Sequence, residues 1–141
     1  MNKNARWNFN VTDIEQKLLD RAAWYQAEDD GYFRIQQTSP QTLGTGLNDS
    51  PAGLLAWITE KFYGWTDNGG DLLNTVDKDK LLANVSLYWF TGTINSSTRI
   101  YYEMFKTLEP GFGSTGDTPV GVSVFPYELM MPRRRWVEDS M

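Results

Sequence analysis

The sequence predicts a mostly α-helical chain that ends in a single β-strand. Four segments between residues 12 and 108 carry apolar side chains at helical spacing. One short apolar run at 120–125 is typical of a buried strand. A lone strand needs neighbours for its backbone hydrogen bonds, so we expect its sheet to lie outside these elements.

The first two predicted helices cover residues 12–28 and 51–65. Thr12 and Glu15 fit a capping box, and Pro51 follows a good N-cap serine at the first helical position. Apolar residues then recur along one face of each segment: Ile14, Leu18, Ala22 and Tyr25 in the first, and Leu54, Leu55, Ile58, Phe62 and Trp65 in the second.

The remaining elements are less regular. Residues 31–49 are predicted as a connector because they are rich in glycine, threonine and proline. A third helix is expected from about residue 77 to 90, and a fourth is expected to begin near Ser96 or Ser97. A glycine-rich loop at 109–119 then leads to the strand at 120–125.

Composition excludes several kinds of chemistry. The 141 residues include no cysteine and no histidine, so thiolate catalysis, a histidine base and the commonest metal ligands are absent from this sequence. We therefore expect no metal and no cofactor. The net charge of -5 argues against nucleic acid as a partner. No apolar run reaches the length of a membrane span, and the N-terminal residues lack a secretory signal, so a soluble, cytoplasmic protein with no membrane partner is expected.

Three stretches give the sequence a resemblance to a known family. They are "GYFRIQQTSPQTLGTGLNDSPAGLLAWITEKF", "LLANVSLYWFTGTINSSTRIYYE" and "GVSVFPYELM". In this order they resemble epoxide hydrolases of the α/β-hydrolase fold, most of all the microsomal and juvenile-hormone types with their fungal and bacterial relatives. The resemblance implies a partial α/β-hydrolase fold, with a helical cap at 1–110 and a return into the α/β core at 111–141.

The resemblance also implies roles for three residues. Tyr32 and Tyr101 stand where the two cap tyrosines of the family stand, and their phenols would hydrogen-bond the oxygen of an epoxide. Glu128 stands at the acidic position that orients the histidine base. Taken alone, each residue also has a structural reading, as a packing tyrosine in a connector, a core tyrosine on a helix face and a helix-capping acid.

Other aromatic and acidic residues are interpreted as structural or as lining a pocket. Tyr102 is the neighbour most easily confused with Tyr101, and Tyr88 is interpreted as core or pocket lining. The aromatic side chains suit either a pocket for bulky apolar epoxides or core packing: Trp57, Trp65, Trp89 and Phe90. Four acids are interpreted as helix-end and surface groups: Asp29, Asp30, Asp77 and Asp79.

The same resemblance predicts what residues 1–141 do not supply. The family's aspartate nucleophile would precede the cap, and its histidine base would follow the strand. We therefore expect this chain alone to be inactive, as a fragment of an enzyme acting on a small apolar epoxide. Two alternatives stay open: another α/β-hydrolase activity, such as dehalogenation or ester hydrolysis, and a non-catalytic helical binding module. A homo-oligomer is also left open.

Overall fold

The computed structural model describes residues 11–107, 121, 123 and 125–129, and it shows a helical protein in this part of the chain. Six α-helices, a π-helical turn and a 3-10 turn follow one another in the order α1 (Asp13–Trp24), π turn (Tyr25–Asp29), α2 (Gly31–Thr38), α3 (Pro40–Asp49), α4 (Pro51–Trp65), 3-10 turn (Leu72–Asn74), α5 (Lys78–Thr91) and α6 (Ile94–Thr107).

The capping residues explain where the predicted helices begin and end. Thr12 and Glu15 form the expected capping box at the start of α1. Ser50 accepts a hydrogen bond from the backbone of Gly53 at 3.0 Å and thereby caps α4. Asp77 caps α5 in the same way, and Gly92 ends that helix in the left-handed conformation, with φ of 63°. These caps confirm the starts of the first three predicted helices, which are observed as α1, α4 and α5, to within one residue.

The prediction of a connector at 31–49 is wrong, because this segment forms α2 and α3. Pro40 takes the first position of α3, where its missing N–H is not needed. Thr38 and Thr45 each donate their hydroxyl to the carbonyl four residues earlier, at 2.6 and 2.8 Å, so their polar groups are satisfied within the helices. The residues that suggested a loop are therefore compatible with a helix in this setting.

The predicted start of the fourth helix is late by a few residues. Helix α6 begins at Ile94, and the carbonyl of Thr93 accepts from the backbone N–H of Ser97 at 2.9 Å. Ser96 donates its hydroxyl back to the same carbonyl at 2.8 Å instead of capping the helix itself.

The core lies where α3, α4, α5 and α6 meet. Leu54 is fully buried at its centre, and Leu47, Val85 and Ile94 surround it. Helix α3 packs most closely on α6, at a point where a Cβ on Gly44 would lie 2.9 Å from the Cα of Asn95. This close approach requires glycine and explains why α3 tolerates a residue that is unfavourable in helices.

The predicted strand is not observed. Residues 121, 123 and 125 are in no strand, and the described part of the chain is without β-structure. Positions 120, 122 and 124, and the predicted loop at 109–119, lie outside the described residues. The division into a cap at 1–110 and a core return at 111–141 therefore stays a prediction. Within the described residues, none of the helices is both long enough and apolar enough to cross a membrane.

Candidate active site

A cavity of about 460 Å³ opens among α2, α4, α5 and α6, and aromatic side chains form much of its wall. The aromatic lining residues are Tyr32, Trp57, Phe62, Trp65, Tyr88 and Tyr101. Polar side chains are interspersed among these walls and come from Gln36, Lys61, Thr66, Asn84 and Ser97. Such a mixture suits an apolar molecule that presents one polar atom.

Both predicted tyrosines lie in this cavity. Tyr32 is in the first turn of α2, Tyr101 is in the middle of α6, and their ring centroids are 6.0 Å apart in an edge-to-face arrangement. They meet because α2 packs along α6. Tyr102 lies outside the lining of this cavity and beside a separate surface depression, so the structure separates it from its neighbour.

Tyr32 has a third tyrosine as a partner that was not predicted from the sequence. The hydroxyl of buried Tyr25 donates to the hydroxyl of Tyr32 at 3.1 Å. Tyr25 opens the π-helical turn, which shifts the register of the chain just before α2. Turns of this kind occur often at functional sites. From the sequence alone, Tyr25 was predicted only as an apolar residue on one face of the first helix.

The surroundings of the two phenols raise their pKa values. Burial is the main cause of the raised pKa of Tyr32. Burial also leads for Tyr101, whose pKa is raised further by Tyr32, while a hydrogen bond with Gln36 acts in the opposite direction. Both phenols therefore keep their protons at neutral pH and are able to donate hydrogen bonds.

An ion pair borders the cavity beside Tyr32. The ammonium of Lys61 lies 2.6 Å from a carboxylate oxygen of Asp29, and both side chains are only 13% exposed. The other oxygen of Asp29 accepts from the indole N–H of Trp65 at 2.6 Å. Asp29 ends the π turn, as expected of a helix-end acid, but its interpretation as a surface group is wrong. Lys61 and Trp65 are four residues apart on one helix face, which is the only sequence signal for this arrangement.

The pKa of Lys61 is raised in this setting. Burial alone would lower it, but the hydrogen bonds to Asp29 and Glu60 outweigh burial. Lys61 is thus charged at neutral pH. Its ammonium nitrogen lies 5.2 Å from the ring centroid of Tyr32 and 5.8 Å from that of Trp65.

The other acids and aromatic residues singled out in the sequence lie at helix ends, on the surface or in the cavity wall. Asp77 is a helix cap, as expected, and Asp30 pairs with Arg34 at 2.6 Å on the surface. Tyr88 both lines the cavity and packs against the core, which confirms its interpretation. Phe90 does neither, since it is 83% exposed.

Glu128 is not brought to the cavity wall that holds the tyrosines. It is partly buried, follows a turn at 126–127, and its backbone N–H donates to the carbonyl of Phe125 at 3.3 Å. The neighbouring ring of Tyr127 lies 4.0 Å from the guanidinium carbon of Arg21. The role predicted for Glu128 stays a prediction. In the described stretches, no three acidic side chains form a group that could hold a metal ion.

Comparisons with known proteins connect this chain to one family. A protein of Stigmatella aurantiaca (strain DW4/3-1) named "Putative epoxide hydrolase" is 48% identical over 133 residues, which are 92% of this chain and 30% of that protein. Epoxide hydrolase 1 of Sus scrofa is 39% identical over 147 residues, covering 94% of this chain and 32% of its own length. Juvenile hormone epoxide hydrolase of Bombyx mori is 48% identical over 86 residues, covering 57% of this chain and 19% of its own length. No family model matches the chain.

These relatives imply an α/β-hydrolase family. Within it, the chain belongs to the epoxide hydrolase family, and it spans about a third of the length of the first two relatives.

Proposed function

We propose that this chain is the tyrosine-bearing helical part of an enzyme that hydrolyses an epoxide to a vicinal diol. The observation that carries the proposal is the meeting of Tyr32 and Tyr101 in one aromatic cavity, with their ring centroids 6.0 Å apart. The names of the relatives support the reaction class, and the aromatic cavity supports this location for the site.

The two phenols would act on the oxygen of the epoxide. When a nucleophile attacks a ring carbon, the carbon–oxygen bond breaks and negative charge develops on the departing oxygen. Two protonated phenols that converge on this oxygen would donate hydrogen bonds to it, and one would deliver the proton that completes the hydroxyl. Their raised pKa values keep them protonated until that step.

The remaining steps need a carboxylate nucleophile and a base in addition to the two phenols. In the proposed reaction a carboxylate nucleophile forms an ester with the ring carbon, and a histidine activates the water that hydrolyses the ester. The sequence has no histidine. We therefore infer that this chain alone does not complete the reaction, and that Glu128 serves as the acid that orients a histidine supplied by another part of the enzyme.

The cavity supports a substrate class as well. Its volume of about 460 Å³ and its aromatic walls suit a small apolar epoxide, such as one with an aryl group. The cytoplasmic location expected from the sequence remains a prediction.

A chimera tests the proposal directly. Residues of this chain would replace the aligned third of Sus scrofa epoxide hydrolase 1, so that the parent protein supplies every group that this chain lacks. With styrene oxide as substrate, we expect phenylethanediol to form. Substitutions Tyr32→Phe and Tyr101→Phe should each lower kcat about tenfold or more, because each removes a donor to the developing charge.

Tyr102→Phe is the matched control, since it makes the same change one residue away and outside the cavity lining. We expect its kcat to stay within about twofold of the unsubstituted chimera. A folded chimera that binds styrene oxide without forming diol would contradict the proposed function. Full activity of the Tyr32→Phe, Tyr101→Phe double variant would contradict the assigned roles.

A further inference from the structure

The ion pair between Lys61 and Asp29 stands beside the proposed catalytic tyrosines, yet neither residue has a role in the proposed reaction so far. Lys61 belongs to the cavity wall, and its ammonium lies over the rings of both Tyr32 and Trp65. We propose that Lys61 is a positioning residue for Tyr32, and that its charge stabilises negative charge on an oxygen held by the tyrosines. This inference rests on the proposed function.

Two carboxylates fix the position of the ammonium. Asp29 accepts from it at 2.6 Å and also accepts from the indole of Trp65, so a single carboxylate ties α4 to the π turn. Glu60 accepts from it at 2.6 Å on the outer side, where that carboxylate is 64% exposed. A third N–H of the ammonium is left for the ring faces and for the cavity.

The ring of Tyr32 is held by the same group of contacts. Its centroid lies 5.2 Å from that of Trp65 and 6.5 Å from that of Tyr25. With Lys61 over it, the ring has neighbours that limit its rotation, and its hydroxyl is kept near Tyr25 and Tyr101. Such fixed geometry is what allows a hydrogen-bond donor to stabilise a transition state without reorganising.

The proposal rests on the position of Lys61 and not on a surplus of positive charge. The largely buried carboxylate of Asp29 balances the charge of Lys61, and the solvent-exposed carboxylate of Glu60 is well screened. Lys61 faces the ring of Tyr32 at close range, and its charge acts to lower the pKa of that phenol against the effect of burial. A positive charge that opposes burial in this way favours any oxyanion placed beside the phenol.

An experiment with 4-nitrophenol tests the inference on the 141-residue chain itself. This probe contains an aromatic ring and one ionisable oxygen but no epoxide, and its anion absorbs visible light. Quenching of tryptophan fluorescence and competition by styrene oxide would locate the probe in the cavity, where Trp57 and Trp65 lie. The absorbance of the bound probe as a function of pH then gives its ionisation constant.

We expect Lys61→Met to weaken ionisation of the bound probe about threefold or more, because it removes a positive charge near the probe's oxygen. Lys61→Arg should restore most of the effect, since it keeps the charge and stacks on rings. Lys106→Met is the matched control: Lys106 makes a similar contact, 5.4 Å from the ring centroid of Tyr102, away from the cavity.

The outcomes separate this inference from the proposed function, because the probe undergoes no epoxide hydrolysis. An unchanged ionisation constant in folded Lys61→Met would overturn the inference, and so would failure of the unsubstituted chain to bind the probe. If circular dichroism shows that Lys61→Met does not fold, Lys61→Gln takes its place with the same expectation. Absence of diol from the chimera would count against the proposed function and would leave the probe measurement valid.

Discussion

At the scale of single residues, the hydroxyl of Tyr25 is the contact that most directly shapes the candidate site. Tyr25 is buried, and its hydroxyl donates to the hydroxyl of Tyr32 at 3.1 Å. We predict that Tyr25→Phe lowers the free energy of unfolding by about 1 kcal/mol, because it removes one hydrogen bond from a partly buried pair. Urea unfolding followed by circular dichroism measures this change.

Tyr63 offers a control for the same chemical change. Its ring is 51% exposed and lies outside the cavity lining, so Tyr63→Phe should alter stability by less than about 0.5 kcal/mol. If the two substitutions change the free energy of unfolding equally, the hydrogen bond of Tyr25 does not contribute to stability.

The raised pKa values of Tyr32 and Tyr101 predict a dependence of stability on pH. Both lie above the ordinary tyrosine value of 10.0, so the folded state holds the phenolic protons more tightly than the unfolded state. These groups should make stability independent of pH below about pH 9, and stability should fall as the pH rises above about 10. In that range the unfolded chain loses its phenolic protons more readily than the folded chain, which lowers the free energy of the unfolded state.

The raised pKa of Lys61 acts in the same pH range and in the same direction. A comparison of variants therefore isolates the phenols. The Tyr32→Phe, Tyr101→Phe double variant should lose less stability between about pH 9 and about pH 11 than the unsubstituted chain, as measured by urea unfolding at each pH. The same loss in both proteins would argue against the raised phenol pKa values.

At the scale of secondary-structure elements, Gly44 and Gly46 of α3 make an informative pair. A Cβ at position 44 would lie 2.6 Å from the side chain and 2.9 Å from the backbone of Asn95, whereas a Cβ at position 46 would meet nothing within 4 Å. We predict that Gly44→Ala lowers the free energy of unfolding by about 1–3 kcal/mol, since α3 and α6 must separate to admit the methyl group.

Gly46→Ala should instead raise stability by up to about 1 kcal/mol, because alanine is the better helix former and this position is exposed. Thermal unfolding of the two variants side by side measures both effects. A stabilising Gly44→Ala would mean that α3 does not approach α6 closely enough to exclude a methyl group.

The same helix shows why part of the fold was missed from the sequence. Local rules for glycine, threonine and proline predicted a connector at 31–49, although a proline at the first helical position and threonines bonded four residues back are also compatible with a helix. Gly44 is needed where two helices touch, and that contact joins residues about fifty positions apart in the chain. Capping residues such as Ser50 and Asp77 act within one turn, which is why they predicted helix starts well.

At the scale of the whole molecule, some residues of the candidate site could be predicted from the sequence and others depend on how the helices pack. Tyr32 and Tyr101 were predicted from a resemblance in sequence, and the structure brings them into one cavity. Asp29 and Lys61 could not be predicted together, because a pairing between the π turn and α4 depends on how the helices pack. Tyr25 was missed for a related reason, since helical spacing made it one more apolar residue.

A last prediction concerns binding without turnover by the 141-residue chain. Styrene oxide and ethylbenzene have the same carbon skeleton apart from the oxirane oxygen, so the aromatic cavity should accept both. If the phenols donate to that oxygen, styrene oxide should bind about threefold to tenfold more tightly, as two hydrogen bonds of modest net strength would give. Titration of tryptophan fluorescence measures both dissociation constants.

The Tyr32→Phe, Tyr101→Phe double variant should bind the two ligands with similar affinity, because it retains the aromatic walls and loses both donors. Chromatography of the same mixtures should show no phenylethanediol, since the sequence contains no histidine to activate water. Diol formation by this chain would mean that another of its residues acts as the base. Equal affinities for both ligands in the unsubstituted chain would instead mean that the phenols pack against the ligand without donating to it, and the cavity would then select for shape alone.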